Sequence, residues 1–347
     1  MLIRRQAARY AICDDPPNHL CQGGMTMSAA APDKTFRLCA AMLMLVIAGQ
    51  AAQAGPLRER LAERRLAQAQ QQNEALDDSE DTAGMMTALP AGVQVVRDVA
   101  YGRDDEQRFD VYLPRKDNLR NAPVIFMVHG GGWYRGDKAL RSVVENKVAY
   151  WVSRGYILIS TNYRLVPKAM PLEQADDVAR ALAVAQRRAA SWGGDPSRFI
   201  LMGHSAGAHL VALLSAAPEK AQRLGAAPWL GSVLLDSAAV DVVALMEHRH
   251  PSLYDRAFGS DPLYWRRASP YQQLTAGATP MLAVCSSPRT HSCEQARDFA
   301  AKAATLGARV QVSEQPLSHR EINVQLGEAG AYTDAVDAFI RSLADAH

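Results

Sequence analysis

The stretch from Ile200 to Leu214, ILMGHSAGAHLVALL, sets a serine between two glycines where one apolar tract gives way to another. It reads as strand, sharp turn and helix, with Ser205 at the turn. Gly203 and Gly207 stand where larger side chains would collide with a tight backbone, and G-x-S-x-G in this context is a nucleophile elbow. A helix starting at Ala206 would aim its N-terminal N–H groups and dipole at charge developing beside the serine. A second constellation, VIFMVHGGGWYRGD, places His129-Gly130-Gly131-Gly132-Trp133 directly after an apolar run. Consecutive glycines let the backbone pass close to a ligand and turn N–H groups inward, as an oxyanion hole requires. The expected donors are the N–H groups of Gly131, Gly132 and Ala206, with Trp133 and Tyr134 walling the substrate pocket. A phosphate-binding loop does not fit, because the glycine spacing of a P-loop or dinucleotide fingerprint is absent.

Both constellations need a sheet to hold them. From about Gln94, short β-branched runs alternate with longer amphipathic ones, the pattern of a mostly parallel sheet wrapped by helices. Strands are predicted at Gln94 to Tyr101, Phe109 to Leu113, Val124 to Val128, Tyr156 to Ser160, Phe199 to Met202, Val233 to Leu235, Met281 to Val284 and Val310 to Glu314. Helices are predicted near Val143 to Ser153, Leu172 to Ser191, Ala206 to Ser215, Glu294 to Leu306 and Ala331 to Leu343. The segment 240–275, rich in His, Pro, Tyr and Trp, has weak periodicity and reads as a cap over the carboxyl edge of the sheet.

A chain of 347 residues with 48% hydrophobic and 21% charged residues is globular material. Its net charge of +2 and lack of a long basic block argue against nucleic acid as a partner. The N-terminal part differs from the rest. Residues 1–24 read as an upstream extension, and 25–54 as a secretory signal: Lys34 and Arg37 precede an apolar run that ends at Ala52-Gln53-Ala54, an A-x-A cleavage site before Gly55. The run is too short to span a bilayer comfortably, so no stable membrane insertion is expected after cleavage. Residues 55–92 form a charged, Gln-rich linker, helical or disordered, ahead of a domain at 93–347. A periplasmic or secreted location follows. Cleavage leaves only Cys285 and Cys293, eight residues apart in CSSPRTHSC, and a disulfide between them is expected in an oxidising compartment. His204 and His209 lack the H-E-x-x-H spacing of a zinc site, so packing and hydrogen bonding are expected there, and no metal.

From about Asp110 onward the chain resembles the α/β-hydrolases, and within them the HGGG-type esterases of the hormone-sensitive-lipase, feruloyl-esterase-like and kynurenine-formamidase-like branches. The carriers are DVYLP, HGGGW, NYRLVP, GGDPSRFILMGHSAGAHL and LSHREIN. The resemblance implies an α/β-hydrolase fold, with a mostly parallel sheet of about eight strands and helices on both faces. It also implies hydrolysis of a small-molecule ester or amide by a serine nucleophile without a cofactor. The family places its general base after the last strand, where this chain has His319. It places an orienting acid after the strand Met281 to Val284, where this chain reads CSSPRTHSCEQARD and has no Asp in the expected position. Glu294, beside Cys293, is the expected acid, and Asp236 in VLLDSAAVD is the alternative. The function expected is an exported carboxylesterase working through an acyl-enzyme. Two alternatives stand beside it: an amide or formamide hydrolase on the same triad, or a binding protein with a degraded hydrolase site.

Overall fold

A computed structural model describes residues 84–115, 119–237 and 239–344. The expected upstream extension, the signal peptide and most of the linker lie outside the described residues. Within the linker's last residues, Met86 is buried, and its N–H bonds to the Ala139 carbonyl. Chain ahead of position 93 therefore already packs on the domain.

Eight strands form one sheet in the order β1-β2-β4-β3-β5-β6-β7-β8. They are β1 (Val93–Ala100), β2 (Arg108–Pro114), β3 (Ala122–Val128), β4 (Ile157–Thr161), β5 (Gly194–His204), β6 (Gly231–Leu235), β7 (Met281–Ser286) and β8 (Val310–Gln315). β1 and β2 pair antiparallel, β2 pairs antiparallel with β4, and all the remaining pairs are parallel. The central strands are apolar on both faces because helices cover both. Phe126, Val128, Phe199 and Leu201 face one layer with Val178, Leu182, Leu210 and Leu214. Those partners lie on α2 (Pro171–Arg188) and α3 (Ala206–Ala216). Ile125, Met127, Ile200 and Met202 face the other layer, with Val144, Val148, Phe339 and Ile340. There the helices are α1 (Arg141–Trp151) and α11 (Ala331–Ala344). Each such side chain, fully buried, contributes about 1.5–3 kcal/mol.

The parallel register decides where chemistry can happen. Val128 pairs with Gly203, and His204 pairs with Leu235, so β3, β5 and β6 end level with one another. The loop after β3, the turn after β5 and the residue after β6 therefore meet at one carboxyl edge, where open α/β sheets bind ligands.

The weakly periodic segment 240–275 folds into four short helices: α5 (Val242–Glu247), α6 (Ser252–Phe258), α7 (Pro262–Ala268) and α8 (Pro270–Gln273). Side chains start three of them. Asp241 accepts from the N–H groups of Val243 and Ala244, Asp261 from Leu263, and Ser269 from Gln272. Two further short helices were not predicted, α4 (Glu219–Arg223) and α10 (His319–Val324), while the predicted 294–306 helix starts earlier, as α9 (Thr290–Thr305). Among the described residues, no helix is long and apolar enough to cross a membrane.

Candidate active site

Ser205 sits between β5 and α3 with φ 53° and ψ −118°. A non-glycine residue in that region is strained, and the strain persists only because the surroundings over-determine it. They do so through close contact. A Cβ on Gly207 would lie 2.2 Å from the Val128 carbonyl oxygen, and one on Gly203 would lie 2.4 Å from the Gly207 carbonyl oxygen. Strand and helix can meet this tightly only without those side chains. The glycine loop after β3 crosses directly above, since a Cβ on Gly130 would touch Ser205 Cβ at 3.0 Å.

Gly131 and Gly132 both have positive φ, 108° and 60°, which turns the loop over the serine. Among the described residues, the N–H groups of Gly131, Gly132 and Ala206 donate to no backbone or side-chain acceptor. Ala206 is the first residue of α3, whose N–H lacks an intrahelical partner by geometry. Trp133 departs from its expected place. It is buried, its indole Nε1–H donates to His209 Nδ1 at 3.2 Å, and its ring packs edge-on against Phe258 at 4.9 Å. It ties the loop to the cap instead of walling an open pocket, whereas Tyr134 is half-buried at the loop surface.

His209 holds this junction together by its tautomer. Its Nε2–H donates to the Ala268 carbonyl at 2.7 Å while Nδ1 accepts from Trp133, and burial pushes its pKa down to about 4. His204 is likewise kept neutral, first by burial and then by His319, and its Nε2–H donates to the His319 carbonyl at 3.0 Å. The two rings lie 4.4 Å apart, so the residue next to the serine fixes the backbone of the expected base. Among the described residues no group of His, Cys, Asp and Glu could hold a metal ion.

His319 is the first residue of α10. Ser318 Oγ accepts the N–H of Glu321, and Glu321 accepts the N–H of Ser318, a reciprocal cap. At its far end the helix is gripped by α1, where buried Lys147 donates to the Asn323 backbone carbonyl at 2.6 Å and to Asn323 Oδ1 at 2.9 Å. Burial lowers the Lys147 pKa to about 7.

The acid expectation needs correction. Glu294 lies on the exposed side of α9 and meets His291 Nδ1 at 3.1 Å, away from His319. The buried face of α9 carries Ser292, Cys293, Ala296 and Phe299, and helical geometry puts Glu294 and Arg297 outside it. Asp236, the alternative, is fully buried and accepts from His319 Nδ1–H at 2.6 Å. It also accepts from the Ser286 N–H at 2.8 Å, Ser292 Oγ at 2.5 Å and Arg289 Nη1 at 2.5 Å. Burial would raise its pKa, but the Arg289 charge, the His319 bond and the Ser292 bond together hold it well below the usual carboxylate range. Arg289 Nη1 also lies 2.7 Å from His319 Nδ1. Guanidinium only donates, so it bonds that nitrogen only when the imidazole proton is on Nε2. Arg289 and Ser292 went unnoticed in the sequence, where the only signal was their place after β7.

The expected disulfide joins Cys285 to Cys293. It closes the loop that carries Ser286, Arg289 and Ser292, so the bridge braces the donors around Asp236 and not Glu294.

An elbow serine, a glycine loop over it and a His–Asp pair at the carboxyl edge of this strand order leave one architecture. The chain has the α/β-hydrolase fold. Residues 109–251 match the BD-FAE family. That fold is shared with esterase B from Lactobacillus rhamnosis, at TM-score 0.62 and 21% identity over 80% of this chain and 93% of that one. It is shared too with the thermophilic esterase Est2 of Thermogutta terrifontis, at TM-score 0.58 and 21% identity over 76% and 96% of the two chains. At these identities the likeness shows the fold. A probable isoprenylcysteine alpha-carbonyl methylesterase of Oryza sativa subsp. japonica is 32% identical over 45% of this chain. Esterase LipC of Mycobacterium tuberculosis is 30% identical over 58%. The chain spans 37% and 53% of those two relatives' own length.

Proposed function

We propose that the protein hydrolyses small carboxylic esters by acyl transfer through Ser205, and that it does so after export. The observation that carries this reading is the His319–Asp236 bond of 2.6 Å at the edge where the strained serine and three unpaired N–H groups meet. With Nδ1–H committed to Asp236, His319 presents Nε2 as the base. It takes the Ser205 proton as Oγ attacks the ester carbonyl. The N–H groups of Gly131, Gly132 and Ala206 receive the oxyanion, and collapse breaks the C–O bond as the alcohol leaves with the proton held by His319. Water, deprotonated by the same imidazole, then releases the acid and restores Ser205. Among the described residues no hydrogen bond joins Ser205 Oγ to His319; such bonds are commonly long without substrate and tighten when it docks.

The buried Asp236 beside His319 supports the hydrolase reading over a binding protein with a degraded site. The relatives' names, methylesterase and esterase, favour an ester over an amide. Export rests on the signal-like residues 25–54, and the Cys285–Cys293 bridge agrees with an oxidising compartment. The test is covalent: a fluorophosphonate probe should label wild type at Ser205 and block turnover of a short-chain chromogenic ester. Ser205→Ala should neither label nor turn over. Labelling elsewhere, or undiminished turnover in Ser205→Ala, would refute the reading.

A further inference from the structure

Resting on that ester-hydrolase reading, we infer that the preferred substrate is an anionic ester, one that carries a carboxylate, and that Arg256 of the cap recognises it. The observation is a stack of side chains built outward from the oxyanion loop. Tyr134 lies directly on Gly132, since a Cβ there would come within 2.8 Å of Tyr134 Cε1. Over the Tyr134 ring stand two guanidinium groups, Arg256 at 4.6 Å and Arg135 at 5.2 Å from the centroid. Arg135 also runs beside the other oxyanion glycine, its Cγ 3.1 Å from where a Gly131 Cβ would be. Two fixed cations thus border the backbone expected to hold the oxyanion.

Arg256 is the one whose chemistry is uncommitted. It is exposed on α6, and among the described residues its partner is the Tyr134 ring alone. Its neighbour Asp255 is engaged by His250 at 3.1 Å, and Asp241 and Asp261, two more of the cap's acids, accept helix N–H groups. A guanidinium stacked on a ring keeps its in-plane N–H donors free and holds them in one plane, the arrangement that takes a carboxylate through two parallel bonds. Tyr134 therefore acts as a platform that fixes the direction of the donors at little entropic cost. A neutral ester gains nothing from them, whereas a carboxylate on the acyl or alcohol part of the substrate gains both attraction on approach and a fixed orientation.

The experiment compares kcat/KM for two matched pairs of esters at low ionic strength. The first pair is p-nitrophenyl butyrate and mono-p-nitrophenyl glutarate; the second is phenyl butyrate and the butyrate ester of 4-hydroxybenzoate. In wild type at least one anionic ester should exceed its neutral partner by about tenfold, the scale of one charge-assisted bidentate contact. That ratio should shrink in high salt. It should fall to about one in Arg256→Gln and below one in Arg256→Glu, a ratio that loss of fold does not change. Neutral esters turned over as fast as both anionic ones by wild type would overturn the inference, and so would a preference that survives in Arg256→Glu. No turnover of any of the four esters would defeat the hydrolase reading itself.

Discussion

Asp236 and Lys147 are both buried ionisable side chains, and each is tied to His319 in a different way. Asp236 stays ionised because three donors besides His319 surround it. Among the described residues Lys147 has no carboxylate partner; it donates to Asn323 on the helix that His319 begins. Burial takes its pKa from an ordinary 10.5 to about 7. Between those pH values the unfolded chain holds a proton that the folded chain has released, so folding stability should rise with pH across that window, by at most about 1.4 kcal/mol per pH unit. Lys147→Met should lack this rise. Thermal unfolding of both proteins from pH 6 to 10 checks it, and parallel curves would contradict the assignment. The serine, its two glycines and the HGGG loop were legible as residues because their spacing is itself the mechanism. The acid was not, because Glu294 and Ser292 are two positions apart on one helix, and only the phase of that helix shows which of them faces Asp236.

Among elements, seven of the eight strands are legible to within two residues at each end because they are short apolar or β-branched runs between turn signals, whereas β5, predicted at Phe199 to Met202, spans Gly194–His204, its first half being polar. β3 was predicted at Val124 to Val128 and spans Ala122–Val128. The helix carrying His319 is not legible in the sequence from periodicity, because six residues are too few to show a period. Its signal was present in Ser318-His319-Arg320-Glu321, the S-x-x-E spacing of a capping box. The element with the most consequence is the loop from β7 to α9. Its disulfide should add about 2–3 kcal/mol by chain entropy, and it also braces Arg289 and Ser292 against Asp236. Reduction should therefore lower kcat on a chromogenic ester at temperatures where the fold is intact. A Cys285→Ser/Cys293→Ser variant should start at the lowered rate and ignore reductant. Equal wild-type rates before and after reduction, with free thiols verified, would show that the loop holds Asp236 unaided.

For the whole molecule, the sheet order brings three chain-distant segments to one edge, and pairing register alone makes Ser205, Asp236 and the glycine loop neighbours. Sequence could order these segments but not set their levels. The proposed export belongs to this scale as well: protein recovered from the periplasm or medium should begin at Gly55 by N-terminal sequencing, and an intact Met1 or Met25 on cytoplasmic protein would contradict it. The central claim is that Ser205 and His319 work with an acid supplied from the end of β6. It is tested most directly by kcat for Asp236→Asn beside Glu294→Gln on one chromogenic ester. The expected result is a loss of roughly 10⁴-fold in Asp236→Asn, as when an orienting acid is removed from a triad, and a wild-type rate in Glu294→Gln. Full activity in Asp236→Asn, with the loss appearing in Glu294→Gln, would contradict it.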